Sequence, residues 1–528
     1  MLFQTITQPA WPYRPKFPHR RTEISGLGKF LRFFLRALGY GTAGAIVAVI
    51  AIYVAFIESK PDLSPRHETF LDGEFTTKSD VQSFTDYLAL EERLFQTLDS
   101  EIYSRTRPED RRAINRYFRG SLSDPERQER NWNRTFELKT QSPVAGVLLL
   151  HGMSDSPYSL HTLGKSLHAS GAWVTGLRLP GHGTIPSGLT DFRWEDMAAA
   201  VKLAMAHLRK QVGDKPLYIV GYSNGGALAV HYALETLLGA DQPPAAKIVL
   251  ISPAIGVSPA AAFAVWQARL GHLLGLEKLE WTDILPEYDP FKYNSFAVNA
   301  GDQVYRLTSR IRDDIGVLGA AGKLAELPPI LAFQSVADAT VSVSAVVETL
   351  FAKLPQGDHK LVMFDINRLQ GLQPLIGNDE GPRVESLLAQ AAPTFTLNFL
   401  TIENPTSRRM LSVQRRPVDP QRQRTPLNLE WPRNVFSLAH VALPFAPDDP
   451  LYGTEPPPQP GTPFLGDIAM RGENGVLQLT PAAMLRLRWN PFYDYLERQT
   501  LDFLGLKHAS HALPADGAEG MSGETSNP

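Results

Sequence analysis

The stretch LYIVGYSNGGALAVHYALETLL, residues 217–238, decides the fold. It starts as a short apolar run, passes through Gly221, Ser223 and Gly225, and continues with the spacing of a helix. A serine on a sharp strand-to-helix turn is held in strained geometry, and glycines two residues to either side let strand and helix approach closely. The helix N-terminus favours negative charge that develops nearby. The pattern therefore predicts that Ser223 is a catalytic nucleophile; the alternative is a serine that only caps a helix.

Short β-rich runs alternate with helical patterns on both sides of this stretch. The runs are 144–150, 172–179, 217–220, 247–252 and 329–335, and the helical patterns are 159–169, 194–212 and 224–238. Such alternation predicts an α/β fold with a mostly parallel sheet and helices on both faces.

Two further motifs accompany the serine in order: LLLHGMSDSPYSL at 148–160 and RLPGHGTIPSGL at 178–189, followed by GYSNGG at 221–226. With these motifs the chain resembles the α/β-hydrolases, most of all the bacterial carboxylesterase and monoacylglycerol lipase group, which includes serine aminopeptidase-like members. The resemblance covers roughly residues 135–350 and the C-terminal part. It implies an α/β-hydrolase fold and cleavage of a carboxylic ester through an acyl-enzyme.

The resemblance also implies roles for single residues. The backbone N–H groups of Met153 and Asn224 correspond to the oxyanion hole of the family, which stabilises charge in the transition state. Asp338 follows the strand-like run 329–335 and matches the position of the family's acid, with Asp448 and Asp449 as rivals. His182 precedes the serine, whereas this fold orders its triad serine, acid, histidine, so we expect His182 to shape a loop instead.

The catalytic histidine has to come from the four that follow Asp338. His359 precedes a strand-like run and would lie at the wrong edge of a parallel sheet. His508 and His511 lie in a polar tail. His440 follows NVFSLA, residues 434–439, which resembles a last strand, so we predict that His440 is the base and that 434–439 form a strand. The alternative is that His440 is a buried structural histidine.

Composition excludes several other classes of protein. The 528 residues carry 52 Lys plus Arg and 55 Asp plus Glu, a net charge of -3, with 43% hydrophobic residues. This balance argues against a nucleic-acid partner and against wholesale disorder. With 0 Cys there is no thiolate nucleophile or disulfide, and neither HExxH nor an EF-hand loop occurs, so we expect no metal and no cofactor.

Twenty-one uncharged residues, 37–57, are long enough to cross a bilayer as one helix. Basic residues predominate before them and acidic residues after them, which predicts a cytoplasmic N-terminus and an uncleaved anchor. The catalytic domain would then lie outside the cytoplasm, in the periplasm if the cell is Gram-negative. The alternative is a cleavable signal peptide. Gly39, Gly41 and Gly44 formally match a dinucleotide-binding GxGxxG, but no strand precedes them, so cofactor binding is set aside.

We therefore expect a cytoplasmic tail at 1–36, a transmembrane anchor at 37–57, and an extracytoplasmic linker with a helix near 80–104 at 58–132. A hydrolase domain would span 133–506, with a helical cap at about 254–326 and a second insertion at about 367–433, and a disordered tail would follow at 507–528. Six arginines lie in the second insertion, as a solvated loop or as a contact for anionic lipid: Arg408, Arg409, Arg415, Arg416, Arg422 and Arg424.

The sequence thus predicts a membrane-anchored serine hydrolase acting on an acyl ester or a lysolipid-like ester, with protein partners undefined. Two alternatives stay open. The same triad cuts thioesters and amides, so the chain could be a thioesterase or a peptidase. A non-catalytic scaffold could also retain the fold, although a scaffold needs neither the serine turn nor an oxyanion loop.

Overall fold

The computed structural model describes residues 24–256, 277–377, 379, 381–389, 393–417, 419–457, 463–467 and 485–508. The chain divides into two units, Met1–Pro61 and Asp62–Pro528. The part of the predicted cap at 257–276 and the predicted tail beyond residue 508 lie outside the described residues.

The first unit contains a single described helix, α1 (Ile24–Glu58). Its stretch Gly28–Glu58 is long and apolar enough to cross a membrane by length and composition, a property that signal sequences near an N-terminus share. Gly39, Gly41 and Gly44 lie inside this helix. A dinucleotide-binding turn needs a strand before its glycines, so the formal GxGxxG match has no structural counterpart here.

The second unit is built on a ten-stranded sheet within the described residues. The strands of this sheet are β1 (Phe136–Leu138), β2 (Ala145–Leu150), β3 (Ala172–Leu177), β4 (Leu217–Tyr222), β5 (Lys247–Ile251), β8 (Ile330–Ser335), β9 (Lys360–Phe364), β10 (Thr396–Ile402), β11 (Arg409–Arg416) and β12 (Asp419–Glu430). Their order is β1-β3-β2-β4-β5-β8-β9-β10-β11-β12. The strands from β3 to β10 pair in parallel, while β1, β11 and β12 pair antiparallel at the two edges. A separate hairpin pairs β6 (Trp281–Asp283) with β7 (Phe296–Ala297).

Helices cover both faces of the sheet. The helices of this unit are α2 (Pro65–Glu68), α3 (Phe84–Leu98), α4 (His161–Ala169), α5 (Gly188–Asp191), α6 (Trp194–Val212), α7 (Asn224–Leu237), α8 (Val298–Ala320), α9 (Val343–Ala345), α10 (Gly381–Leu388) and α11 (Tyr493–Leu504). Alternate residues of β2 enter opposite cores: Leu148 and Leu150 pack with α6, α7 and α8, whereas Val147 and Leu149 pack with α4 and α11. The predicted parallel sheet with helices on both faces is confirmed.

Two segments differ from their sequence patterns. Residues 434–439 form no strand, so the prediction of a last strand before His440 was wrong. The apolar residues of this segment are typical of a buried strand. In the structure, however, Val435 and Leu438 are loop residues buried in the core that also contains residues of α11. The sequence predicts that residues 396–430 belong to an insertion outside the sheet. They instead extend the main sheet as β10, β11 and β12.

The helix expected at 80–104 begins later, at Phe84. Ser83 caps it: its hydroxyl accepts from the Asp86 N–H at 3.2 Å, and the Asp86 carboxylate accepts from the Ser83 N–H at 2.9 Å. This reciprocal pair satisfies N–H groups that the first turn of a helix leaves without partners, so the helix starts where the pair forms.

A buried charge cluster ties the residues before the sheet to the sheet itself. Arg178, which follows β3 and is 0% exposed, contacts Glu74 at 2.8 Å and Glu91 at 3.1 Å. The Tyr87 hydroxyl, from the same helix as Glu91, donates to the Arg178 carbonyl at 2.6 Å. Because unpaired charges are costly in a protein interior, these three charges depend on one another.

We predict that Arg178→Met lowers the free energy of unfolding by about 3–5 kcal/mol, since it leaves two carboxylates without their buried cation. Denaturant titration of the full-length protein, followed by tryptophan fluorescence, measures the change. Arg193→Met is the matched control, because the Arg193–Glu195 pair is 56% and 36% exposed and its loss should cost less than about 1 kcal/mol. Equal effects of the two substitutions would contradict the prediction.

Candidate active site

Ser223 occupies the turn between β4 and α7, where its backbone is left-handed with φ 53°. Its N–H donates to the Ile251 carbonyl of β5 at 2.9 Å, which ties the turn to the neighbouring strand. A Cβ on Gly221 would lie 2.4 Å from the Gly225 carbonyl oxygen, and a Cβ on Gly225 would lie 2.1 Å from the Leu150 oxygen. Both positions therefore require glycine, and the turn presents the serine at the carboxyl ends of the parallel strands.

The loop after β2 lies directly against this serine. A Cβ on Gly152 would be 3.2 Å from Ser223 Cβ and 3.0 Å from the Tyr222 ring. Among the described residues, the backbone N–H groups of Met153 and Asn224 have no hydrogen-bond acceptor. Asn224 is the first residue of α7, where backbone N–H groups are free to bind an anion. Met153 therefore follows Gly152 in the loop that lies against the serine, and Asn224 directly follows the serine; their role as oxyanion donors stays a prediction.

His151 holds this loop in place through both of its ring nitrogens. The Leu179 N–H donates to His151 Nε2 at 3.0 Å, so Nδ1 carries the proton and donates to the Gly152 carbonyl at 2.8 Å. Burial, and then the neighbouring His182, hold the pKa of His151 well below its ordinary value. The imidazole is therefore neutral and links the loops after β2 and β3.

Asp338 and His440 meet at the same edge of the sheet. Asp338 follows β8, and its Oδ2 lies 2.8 Å from His440 Nδ1. Its Oδ1 accepts from the Thr340 and Val341 N–H groups at 2.8 and 3.0 Å. Burial raises the pKa of Asp338, but the hydrogen bond and charge of His440 and these two N–H groups outweigh it, and the net pKa lies below its ordinary value. The carboxylate is therefore held ionised beside the imidazole.

His440 reaches this edge from a loop that neighbouring strands hold in place. The Ser335 hydroxyl at the end of β8 donates to the Leu438 carbonyl at 2.9 Å. Asn367, just after β9, donates from its backbone to Phe436 at 2.8 Å and from its side chain to Val435 at 3.0 Å. His440 is thus positioned by side-chain and backbone contacts of two strands rather than by a strand of its own.

The other candidate residues lie elsewhere in the described structure. His359 stands at the opposite end of the sheet, where its Nδ1 accepts from the Ile330 N–H at the start of β8. His508 is exposed and pairs with Asp502 at 2.9 Å, and His511 lies outside the described residues. Asp448 is exposed.

Asp449 is a buried structural carboxylate. It accepts from the Tyr158 hydroxyl and from the Leu451 and Tyr452 N–H groups, each at 2.9 Å. Burial raises its pKa to about 6. These hydrogen bonds close the loop that follows Asp449, and among the described residues no hydrogen bond joins Asp449 to His440.

Two charged residues at the site were missed from sequence. Asp155, in the loop that carries Met153, is buried and pairs with Lys292 at 3.0 Å. Tyr293, the next residue, donates its N–H to the Ser154 carbonyl at 2.8 Å. The position of Asp155 within the motif at 148–160 could have indicated that it lies at the site. Lys292 comes from a segment that contains no motif, so the sequence offers no such indication for it. Within the described part of the chain, no group of three His, Asp or Glu side chains could hold a metal ion.

Comparison with known proteins finds a family model that matches part of the chain. Residues 141–366 match the family model of the serine aminopeptidases, S33, which includes Ser223 and Asp338. The predicted resemblance to this group of α/β-hydrolases is confirmed. His440 lies beyond the matched residues, in keeping with its unusual distance along the chain from Asp338.

The relatives found include lipases. The thermostable monoacylglycerol lipase of Bacillus sp. (strain H-257) is 29% identical over 117 residues, which are 22% of this chain and 44% of that protein. The chain therefore matches less than half the length of this relative. Among solved structures, a metagenome-derived lipolytic enzyme is 22% identical, with 44% of this chain and 87% of that chain covered and a TM-score of 0.35. The monoacylglycerol lipase of Paleococcus ferrophilus is 19% identical, with 44% and 89% covered and a TM-score of 0.34.

The pH dependence of stability should report the buried histidine at the edge of the site. Burial lowers the pKa of His182 from 6.5 to about 4. Between these values the unfolded chain binds a proton that the folded chain rejects, so stability falls as the pH drops through this window. We predict that in His182→Gln the free energy of unfolding falls about 2 kcal/mol less than in wild type between about pH 7.5 and pH 4.5. Denaturant titrations at each pH measure this, and equal losses in both proteins would contradict it.

Proposed function

We propose that this chain is a serine hydrolase that cleaves a carboxylic ester with Ser223 as nucleophile, His440 as base and Asp338 as acid. The observation that carries the proposal is the 2.8 Å contact between His440 Nδ1 and Asp338 Oδ2, because it joins two residues separated by about a hundred positions at the edge where Ser223 lies. A buried histidine paired with a carboxylate beside a strained serine is the arrangement that activates a hydroxyl nucleophile.

In the proposed mechanism, Nε2 of His440 accepts the Ser223 hydroxyl proton while the serine oxygen attacks the ester carbonyl. The tetrahedral oxyanion receives hydrogen bonds from the Met153 and Asn224 N–H groups. His440 then gives the proton to the leaving alcohol oxygen, and the acyl group stays on Ser223. A water molecule loses its proton to His440 and attacks the acyl-enzyme. The bond to the Ser223 oxygen then breaks, His440 returns the proton to that oxygen, and the acid is released. Asp338 holds the imidazole in the required orientation and stabilises its protonated form.

The donors of the proposed oxyanion hole are supported by local geometry. The Met153 loop is fixed from two sides, by His151 and by the contact between Ser154 and Tyr293. Asn224 is fixed by its place at the start of α7. Donors that are held in position before the reaction stabilise developing charge without a cost for reorientation, and this stabilisation supplies much of the rate acceleration in many hydrolases.

The substrate and location are proposed from the relatives and the N-terminal helix. Residues 37–57 would anchor the protein, with the N-terminus in the cytoplasm and the catalytic domain outside it, in the periplasm of a Gram-negative cell. Basic residues before the span and acidic residues after it support this orientation. The Bacillus relative that matches part of this chain is named a monoacylglycerol lipase. A monoacyl lipid ester from the adjacent membrane is therefore the proposed substrate class.

The alternatives make different predictions. A thioesterase or peptidase would use the same three residues, so substrate series separate these enzymes from an esterase. A non-catalytic scaffold would have no use for Ser223 in a left-handed conformation, which costs about 1–3 kcal/mol at a non-glycine residue. The strained serine therefore favours catalysis over a scaffold.

We predict that a fluorophosphonate probe labels the full-length protein in detergent, and that Ser223→Ala abolishes labelling. His440→Ala and Asp338→Asn should lower kcat on p-nitrophenyl butyrate by roughly 10³–10⁴-fold, because the serine loses its base or the imidazole loses its orienting partner. Labelling by gel fluorescence and initial-rate kinetics measure the two effects.

Ser100→Ala and His508→Ala are matched controls, since both side chains are exposed and lie outside the site. They should retain wild-type labelling and rates. A folded wild-type protein that takes up no probe and cleaves no ester would overturn the proposed function and leave the scaffold as the better hypothesis. Hydrolysis of thioester or peptide substrates with no activity on esters would replace the esterase by one of the related activities.

A further inference from the structure

A cavity of about 200 Å³ reaches the segment that carries His440, the proposed base. Val441, the residue after His440, lies in its wall. Three cationic side chains also line it, Lys292, Arg486 and Arg488, against a single carboxylate, Asp289. The described lining therefore carries an excess of positive charge, which is unusual for a site that would bind only neutral ester groups.

The single carboxylate of the lining is already occupied by other partners. The Tyr452 hydroxyl donates to Asp289 at 2.6 and 2.7 Å. The Phe291 and Lys292 N–H groups donate to the same carboxylate at 3.0 and 3.1 Å. Asp289 is fully buried and builds the loop at 289–292. The carboxylate keeps its negative charge and forms an ion pair with Arg488 at 3.6 Å, so the three cations of the lining still outnumber the one carboxylate.

Arg488 is the cation that the fold holds most firmly in the wall. Its side chain is 14% exposed, and its guanidinium forms an ion pair with Asp289 at 3.6 Å, a distance longer than a hydrogen bond. Among the described residues, its one hydrogen bond goes to the Tyr288 hydroxyl at 3.3 Å. The guanidinium also lies over the Tyr288 and Tyr452 rings, at 6.0 and 5.8 Å from their centroids. A guanidinium with five N–H donors that is positioned by aromatic rings has donors left for a ligand.

The other two cations join the cavity to the catalytic groups. Arg486 donates to the Thr340 hydroxyl at 3.2 Å, and the Thr340 N–H donates to Asp338 at 2.8 Å. Lys292 pairs with Asp155 at 3.0 Å, and Asp155 Oδ2 lies 3.0 Å from the position of a Cβ on Gly152. The cavity thus touches the acid loop on one side and the oxyanion loop on the other.

We propose that this cavity binds an anionic group, a phosphate or a carboxylate, on the leaving alcohol of the ester. The proposal rests on the proposed function, because in that mechanism His440 gives its proton to the leaving oxygen, so the leaving alcohol lies against His440 and next to Val441. Guanidinium groups bind phosphate and carboxylate oxygens with paired hydrogen bonds, so Arg486 and Arg488 distinguish an anionic alcohol from neutral glycerol. The substrate class is then an acyl ester of an acidic alcohol.

The test compares soluble esters that share a butyryl group and differ in the alcohol: 1-butyrylglycerol, 1-butyrylglycerol 3-phosphate and the butyryl ester of glyceric acid. The full-length protein in neutral detergent should show a higher kcat/KM for at least one anionic ester than for the neutral ester, by about tenfold. Which of the two is preferred identifies phosphate or carboxylate as the ligand. Added salt should lower this preference, because it screens charge at a partly open site.

Arg486→Gln and Arg488→Gln should each lower the ratio of anionic to neutral kcat/KM by about three- to tenfold. Arg486→Lys, which keeps the charge but loses the paired hydrogen bonds, should lower the preference less than Arg486→Gln does. Arg498→Gln is the matched control, because Arg498 is exposed on α11 and donates only to a backbone carbonyl among the described residues; its ratio should equal that of wild type. Because Arg486 is exposed, we expect Arg486→Gln to fold, so this variant tests the anionic subsite even if Arg488→Gln unfolds.

A wild-type ratio near one, or a ratio that neither arginine variant lowers, would overturn the anionic subsite and leave the ester hydrolase in place. Absence of activity on all three esters and on p-nitrophenyl butyrate would overturn both proposals together. The two failures are distinguishable, because the first retains hydrolysis of the neutral ester and the second does not.

Discussion

The left-handed backbone of Ser223 lies between β4 and α7, where strand and helix leave no room for a Cβ on either flanking glycine. Everything at the site is arranged around this turn. The β2 loop can approach the serine because Gly152 has no side chain, and the next residue of this loop is Met153, one of the two proposed oxyanion donors. The start of α7 carries Asn224, the second proposed donor. One strained residue, held by the parallel strands around it, thus defines where a substrate carbonyl could lie.

The sheet provides the remaining constraint, because the carboxyl ends of its parallel strands meet at one edge. Asp338 arrives there directly at the end of β8. His440 arrives indirectly, after the chain has added further strands to the sheet and returned. Hydrogen bonds from Ser335 and Asn367 hold the loop that precedes His440 against the ends of β8 and β9. Strands β10 to β12 can therefore lengthen the path between acid and histidine without changing where the histidine lies.

Charge is distributed differently in the body of the fold and beside the site. Arg178 pairs with the carboxylates of Glu74 and Glu91, and these ion pairs hold the residues before the sheet against the sheet. Asp338 is ionised because the imidazole and two backbone N–H groups compensate for its burial. In the cavity beside His440, the cations exceed the carboxylates of the lining. Charges that are paired with opposite charges are typical of structural clusters. An excess of positive charge beside the proposed catalytic residues instead favours an anionic substrate.

The sequence by itself determined the parallel sheet, its helices and the serine turn, because each depends on residues close together in the chain: an apolar run, two glycines and a helical period. The order of strands and helices along the chain also limited the predicted catalytic acid and the predicted catalytic base to a few candidate residues. Only the tertiary structure decided that His440 approaches Asp338 from a loop rather than from a strand, and that residues 396–430 belong to the main sheet. The same holds for Lys292, Arg486 and Arg488, which share a cavity although the lysine lies far from the two arginines in the chain. Such contacts are made between distant segments, and local pattern carries no record of which segments pack together.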